Sequence, residues 1–163
     1  AKEIAIEMNS LSKSHNMPGW RVGVAASNPT FISWILKVKS NIDSGQFKPT
    51  MLAAAKALEA DKSWHDKVNA LYASRRKVAE KIMEELGCTF DPTQSGLFLW
   101  GRIDNPEITS EALADRLLHE AKVFLTPGFI FGSNGDRYMR ISLCATEDRM
   151  NEALDRIKKM NQK

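Results

Sequence analysis

Asn9-Ser10-Leu11-Ser12-Lys13-Ser14-His15-Asn16-Met17-Pro18-Gly19-Trp20-Arg21-Val22-Gly23 is the stretch on which the reading of this 163-residue sequence turns. Ahead of it, Ile4, Ile6 and Met8 alternate with other residues, which predicts a strand over 2–8. The strand runs into a hydroxyl-rich turn holding one lysine, and Pro18-Gly19 breaks the chain again. Arg21 follows Lys13 by eight positions, with Gly19 and Gly23 on either side. Hydroxyls and a guanidinium fork beside a tight turn are suited to binding a phosphate. A lysine beside a bound cation loses its proton more easily and becomes a nucleophile. A solvated polar loop with an unrelated Lys13 and Arg21 fits the same residues, so both readings stand at this point.

Downstream, the short apolar run Val22 to Ala26 predicts a buried strand. Asn28-Pro29 then predicts a helix start, with Asn28 as N-cap and Pro29 in the first helical position. Phe31, Ile32, Trp34, Ile35 and Val38 carry that helix to about Asn41, and Asp43-Ser44-Gly45 ends it. An alanine-rich helix is expected over about 49–60. A long amphipathic helix follows: Val68, Leu71, Tyr72, Arg75, Val78, Ala79, Ile82, Met83 and Leu86 recur at spacings of three and four, with Gly87 as C-cap. Leu97 to Trp100 reads as a strand. Thr109 caps a helix to about Ala121, with Ile108 and Leu113 as a hydrophobic staple. Val123 to Leu125 is expected as a short strand, and Pro127-Gly128 as a turn. Met139, Ile141 and Leu143 alternate with Arg140 and Ser142 in the next strand. Thr146 opens the last helix, whose acidic first turn and basic last turn match the helix dipole.

Residues up to about 45 thus read as strand–loop–strand–helix, and residues from about 90 as a small strand layer covered by helices. The long helix bridges the two, which predicts an α/β chain with two lobes. With 43% hydrophobic and 26% charged residues, the composition is that of a globular chain with one core and room for a second small lobe. The net charge of +3 is spread among interleaved acids, which argues against a nucleic-acid patch. Cys88 and Cys144 are isolated and the three histidines lie far apart, so no metal site and no disulfide framework are expected. Two free thiols, no membrane-length apolar run and no secretory leader predict a cytoplasmic protein with no membrane partner.

Ser-Leu-Ser-Lys-x-x-Asn-Met-x-Gly-Trp-Arg-x-Gly, as it stands from Ser10 to Gly23, resembles the cofactor-lysine signature of the class I/II aminotransferases, the fold-type-I pyridoxal-phosphate enzymes. The later segments agree in order. Leu71-Tyr72 with Arg75-Arg76 resembles the family's Tyr-x-x-Arg-Arg pattern, and Gly96 to Trp100 its glycine–aromatic strand. Pro127-Gly128 with Phe131-Gly132 resembles its loop before the last strand, and Arg140 stands where the family has the arginine that grips the substrate α-carboxylate.

The resemblance implies roles and a domain plan. Lys13 would be the catalytic lysine and form the Schiff base with pyridoxal 5'-phosphate. Ser10 and Arg21, with Ser12 assisting, would hold its phosphate, and Gly19 and Gly23 would let backbone pass close to the ligand. Arg140 would bind substrate. Residues 1–45 would belong to the large cofactor-binding domain, contributing two strands and a helix. Residues 46–163 would supply the linking helices and an α+β small domain. The chain would be the carboxy-terminal portion of an enzyme moving an amino group between an amino acid and a 2-oxo acid, working as a homodimer, with 41–47 approaching the neighbouring subunit. The family's aspartate on the pyridine nitrogen and its ring-stacking aromatic precede the lysine strand, so these 163 residues alone are expected to be inactive. A C–S lyase or synthase on the same frame and a cofactor-free dimerisation module are the alternatives.

Overall fold

The computed structural model describes residues 3–162, which fall into two compact units dividing between His65 and Asp66. In the first unit, β1 (Glu7–Ser10) and β2 (Gly23–Ala26) form an antiparallel ladder pairing Glu7 with Ala26 and Ser10 with Gly23. β1 begins at Glu7, later than predicted; Glu3 and Ile4 lie in a turn, and Lys2 falls outside the described residues. Every residue of both strands is exposed, contrary to the burial expected for the second. Two strands make no core by themselves, and no third strand joins them among the described residues.

The loop that follows β1 is more structured than its sequence suggests. α1 (Leu11–Ser14) is a single helical turn, and a 3-10 turn spans Pro18–Trp20. α2 (Pro29–Ile42) starts as predicted: Asn28 Oδ1 accepts the Phe31 N–H at 3.1 Å. No residue of α2 is buried. α3 (Lys48–Leu58) contributes Ala54 to a small core with Leu11, Met17 and Val22. α3 therefore packs within the first unit.

α4 (Lys62–Glu85) buries Val78, Ala79, Ile82 and Met83, the stripe read from the sequence, and Gly87 follows it with φ 64°. The second unit has a four-stranded antiparallel sheet of β3 (Cys88–Phe90), β4 (Phe98–Ile103), β5 (Thr126–Pro127) and β6 (Tyr138–Ser142), in the order β3-β4-β6-β5. Leu99, Ile103, Met139 and Ile141 face the core, as the alternation predicted for β6. Strand β3 was not foreseen. Val123 and Leu125 are buried, yet they form no strand. Lys122 turns left-handed (φ 56°) and the Val123 N–H donates to Leu117 O at 3.1 Å, so this backbone closes a helix end and pairing begins only at Thr126.

α5 (Ser110–Arg116) is capped by Thr109, whose Oγ1 accepts the Ala112 N–H at 3.2 Å, and a π turn over Leu117–Ala121 completes the expected length. Leu113 is buried and Ile108 packs against the core, as a staple requires. α6 (Glu147–Asn161) buries Met150, Leu154, Ile157 and Met160. Thr146 sits at its N-cap with extended backbone, but its hydroxyl makes no capping bond. Arg75 Nη1 donates to Leu143 O at 3.1 Å and Arg76 bonds Glu80 and Gln94, tying α4 to the chain around the sheet. Among the described residues no helix is long and apolar enough to cross a membrane.

Candidate active site

In the first unit, Ser10, Ser12, Lys13 and Arg21 gather at one end of the β1–β2 ladder. The register sets Ser10 opposite Gly23, two residues from Arg21, and the Leu11 N–H donates to Val22 O at 3.2 Å. Ser10 is both the last residue of β1 and the N-cap of α1, its Oγ accepting the Ser12 N–H at 3.2 Å. That bond uses a lone pair and leaves the Ser10 hydroxyl proton for a ligand. Lys13 follows on the same helical turn and is exposed.

Arg21 has φ 53° and ψ 49°, left-handed for a residue with a Cβ. Its Nη1 donates to Pro18 O at 2.9 Å, and its carbonyl accepts Gln46 Nε2 at 3.2 Å. A guanidinium has five N–H donors, so one internal bond does not exhaust it. The two glycines expected to permit close approach differ. A Cβ on Gly23 would lie 2.8 Å from Asn9 O, so only glycine fits against β1 there. A Cβ on Gly19 would meet nothing within 4 Å, so packing does not require that glycine.

Arg140 lies in the second unit, on the sheet face opposite the core. The β4–β6 register sets Trp100 beside it and Phe98 beside Ser142, which brings Phe98 diagonally onto Arg140. The guanidinium carbon is 4.4 Å from the Phe98 ring centre and 4.5 Å from that of Phe131. Trp100 extends the aromatic layer, stacked on Tyr138 at 5.2 Å and edge-on to Phe131 at 5.7 Å. Arg140 Nε is buried and makes no hydrogen bond to the described residues. A cavity of about 310 Å³ adjoins it, lined among others by Thr126, Arg140, Ser142 and Arg149. A guanidinium in contact with two rings can still offer its N–H groups to a carboxylate.

Sequence reasoning missed the two rings as partners of Arg140. Phe98 and Phe131 each stand in a motif singled out above, but which face meets which is set by cross-strand register, and that is invisible in a single strand. It also missed His15 as anything but a loop residue. His15 is half-buried, 2.8 Å from Ser14 Oγ through Nδ1, and its ring stacks on Trp64.

The family described as aminotransferase class I and II matches residues 1–157. The LL-diaminopimelate aminotransferase of Aquifex aeolicus is 38% identical over 161 residues, covering 98% of this chain and 41% of the relative. The glutamate-pyruvate aminotransferase AlaC of Escherichia coli is 37% identical over 162 residues, 98% of this chain and 39% of the relative. Among solved structures, apo-BacF from Bacillus subtilis superposes with a TM-score of 0.85 at 33% identity, over 96% of this chain and 40% of that one. The aromatic aminotransferase from Pyrococcus horikoshii superposes with a TM-score of 0.86 at 30% identity, over 96% of this chain and 42% of that one. The chain therefore spans about two-fifths of the length of the relatives it matches. Its fold is that of the carboxy-terminal part of a fold-type-I enzyme, and the chain belongs to the class I and II aminotransferases.

Proposed function

We propose that the whole protein is a pyridoxal-phosphate-dependent aminotransferase moving an amino group between an amino acid and a 2-oxo acid, and that Lys13 is its cofactor lysine. The observation that carries this reading is the β1–β2 register, which closes Ser10, Lys13 and Arg21 onto one end of a ladder. The donor set fits a phosphorylated aldehyde: a hydroxyl at Ser10, the Ser12 side chain nearby, a guanidinium at Arg21 and a primary amine at Lys13. Ser10 and Arg21 would hold the phosphate by charge-assisted bonds, with Ser12 assisting. When bound, the cofactor supplies the electron sink that makes a substrate α-carbon acidic.

The chain's own groups do the rest. Lys13 would hold the cofactor through its Nζ, and the same amine would be the base that takes the α-proton and the acid that returns it. Arg140 would grip the α-carboxylate as a fork, with Phe98 and Phe131 packed against its guanidinium. We further assign residues 1–45 to the large cofactor-binding domain and 46–163 to linking helices and the small domain. The break at Asp43-Ser44-Gly45, where Gly45 has φ 122°, supports that boundary. The reading also has the protein work as a homodimer in the cytoplasm. Exposed Trp34, Val38, Ile42 and Phe47 support a covered surface in the assembly, and the free thiols Cys88 and Cys144 a reducing compartment.

Borohydride treatment of the full-length protein loaded with pyridoxal phosphate tests the assignment. Peptide mapping is expected to find the reduced cofactor on Lys13, and Lys13→Ala to lose both the adduct and all transamination. A full yield of adduct on another lysine would refute it.

A further inference from the structure

Four side chains have no part in the reading above: Ser14 and His15, which follow Lys13 in the chain, and Trp64 and His65, which meet the His15 ring. Ser14 Oγ lies 3.1 Å from Ser10 O and 2.8 Å from His15 Nδ1. A carbonyl oxygen only accepts, so the single hydroxyl proton of Ser14 points to Ser10 O. Ser14 Oγ is then an acceptor toward His15, and the proton of the imidazole must sit on Nδ1. Both contacts are hydrogen bonds together only when a proton sits on Nδ1.

The other face of the imidazole is also held. Trp64 lies parallel to it at 6.1 Å with 13° between planes, and His65 meets it edge-on at 5.3 Å. Trp64 and His65 contact each other edge-on at 4.9 Å. Both belong to the first turn of α4. Asp61 fixes that turn, its Oδ1 accepting the Trp64 N–H at 3.0 Å and the Ser63 hydroxyl at 2.8 Å. The Ser63 hydroxyl, then the Trp64 N–H, hold the Asp61 carboxyl below its ordinary range. By contrast α1 is one isolated turn of four residues, a length that has little helical stability of its own.

We propose that Ser14, His15 and Trp64 form a positioning clamp for Lys13, with His15 working as the Nδ1–H tautomer. The clamp rests on the reading of Lys13 as the cofactor lysine and adds to it. Ser14 ties the end of the α1 turn back to the Ser10 carbonyl, and Lys13 lies between those two points. The hydroxyl of the same Ser10 is the phosphate donor. One pair of hydrogen bonds therefore fixes the amine and the phosphate donor relative to each other, and the Trp64 stack anchors that pair to α4. None of the three residues touches the reacting atoms in this scheme; they act through the turn.

The test uses the full-length protein with and without pyridoxal phosphate. His15→Phe keeps a ring on Trp64 but removes the donor, Ser14→Ala removes both hydrogen bonds, and Ser14→Thr restores the hydroxyl. The loss of one or two such bonds is expected to raise the cofactor dissociation constant about three- to tenfold in His15→Phe and Ser14→Ala. Ser14→Thr is expected to bind as the parent does. In the cofactor-free protein, nitrogen-15 NMR of His15 is expected to show the proton on Nδ1. Proton on Nε2, or parental cofactor binding in both His15→Phe and Ser14→Ala, would overturn the clamp. Should Ser14→Ala fail to fold, the NMR measurement and His15→Phe decide. A failure of the Lys13 reading is distinct: the reduced cofactor would then map elsewhere in the parent protein.

Discussion

Arg140 shows how much of a side chain's behaviour is set by its neighbours. Its charge is read directly from the sequence, but the rings it touches, Phe98 and Phe131, come from other segments of the chain. Removing one ring leaves the guanidinium free to rotate. For Phe131→Ala in the full-length enzyme, the KM for the amino acid is expected to rise roughly three- to thirtyfold, the value of one cation–π contact, with a smaller change in kcat. Steady-state kinetics over a range of amino donor check this; an unchanged KM would remove the ring from the site. Ser10, Ser12, Lys13 and Arg21 could be picked out from the sequence because they lie close together in the chain. The sequence could not display the rings on Arg140, nor the His15–Trp64 stack, because both depend on which distant segments come together.

The elements of the second unit follow from periodicity where one face is buried, and depart from it where backbone is spent otherwise. β6 was legible because Met139 and Ile141 repeat at the strand period, and α6 because Glu147 and Asp148 open it and Lys158 and Lys159 close it. The run from 123 to 125 was not, because the π turn claims the Val123 N–H before a ladder can. β3 escaped notice because three residues are too few to show an alternation. The turn after β5 rests on a backbone crossing: a Cβ on Gly128 would lie 2.3 Å from Gly135 O and 2.7 Å from Tyr138 O. Those are backbone atoms that cannot swing aside. Gly128→Ala is therefore expected to destabilise the second unit by about 1–3 kcal/mol, the range for overpacking, read as a lower midpoint in urea.

Among the described residues, buried apolar side chains are distributed unequally. Twenty buried residues form the core of the second unit and four that of the first. The second unit also holds Cys88, whose thiol is pushed up to about 12, by burial first and the Asp104 carboxylate second. A thiol of raised pKa favours the folded form below its unfolded value of about 8.5 and loses that contribution as pH climbs toward the folded value. Calorimetry of residues 1–163 is expected to show the second unit melting later than the first. Its transition should fall between about pH 8.5 and 12. Cys88→Ala should flatten that slope whatever it does to the midpoint at neutral pH; an equal slope in the variant would assign the alkaline loss to other groups.

Arg21 holds a left-handed backbone that glycine would take without strain, at a cost of about 1–2 kcal/mol for a residue with a Cβ. Stabilising substitutions are usually easy to find where nothing but the fold is at stake. Arg21→Gly is such a substitution on the backbone, and it would erase the guanidinium. At this position the conformation of the main chain and the charge of the side chain favour different residues.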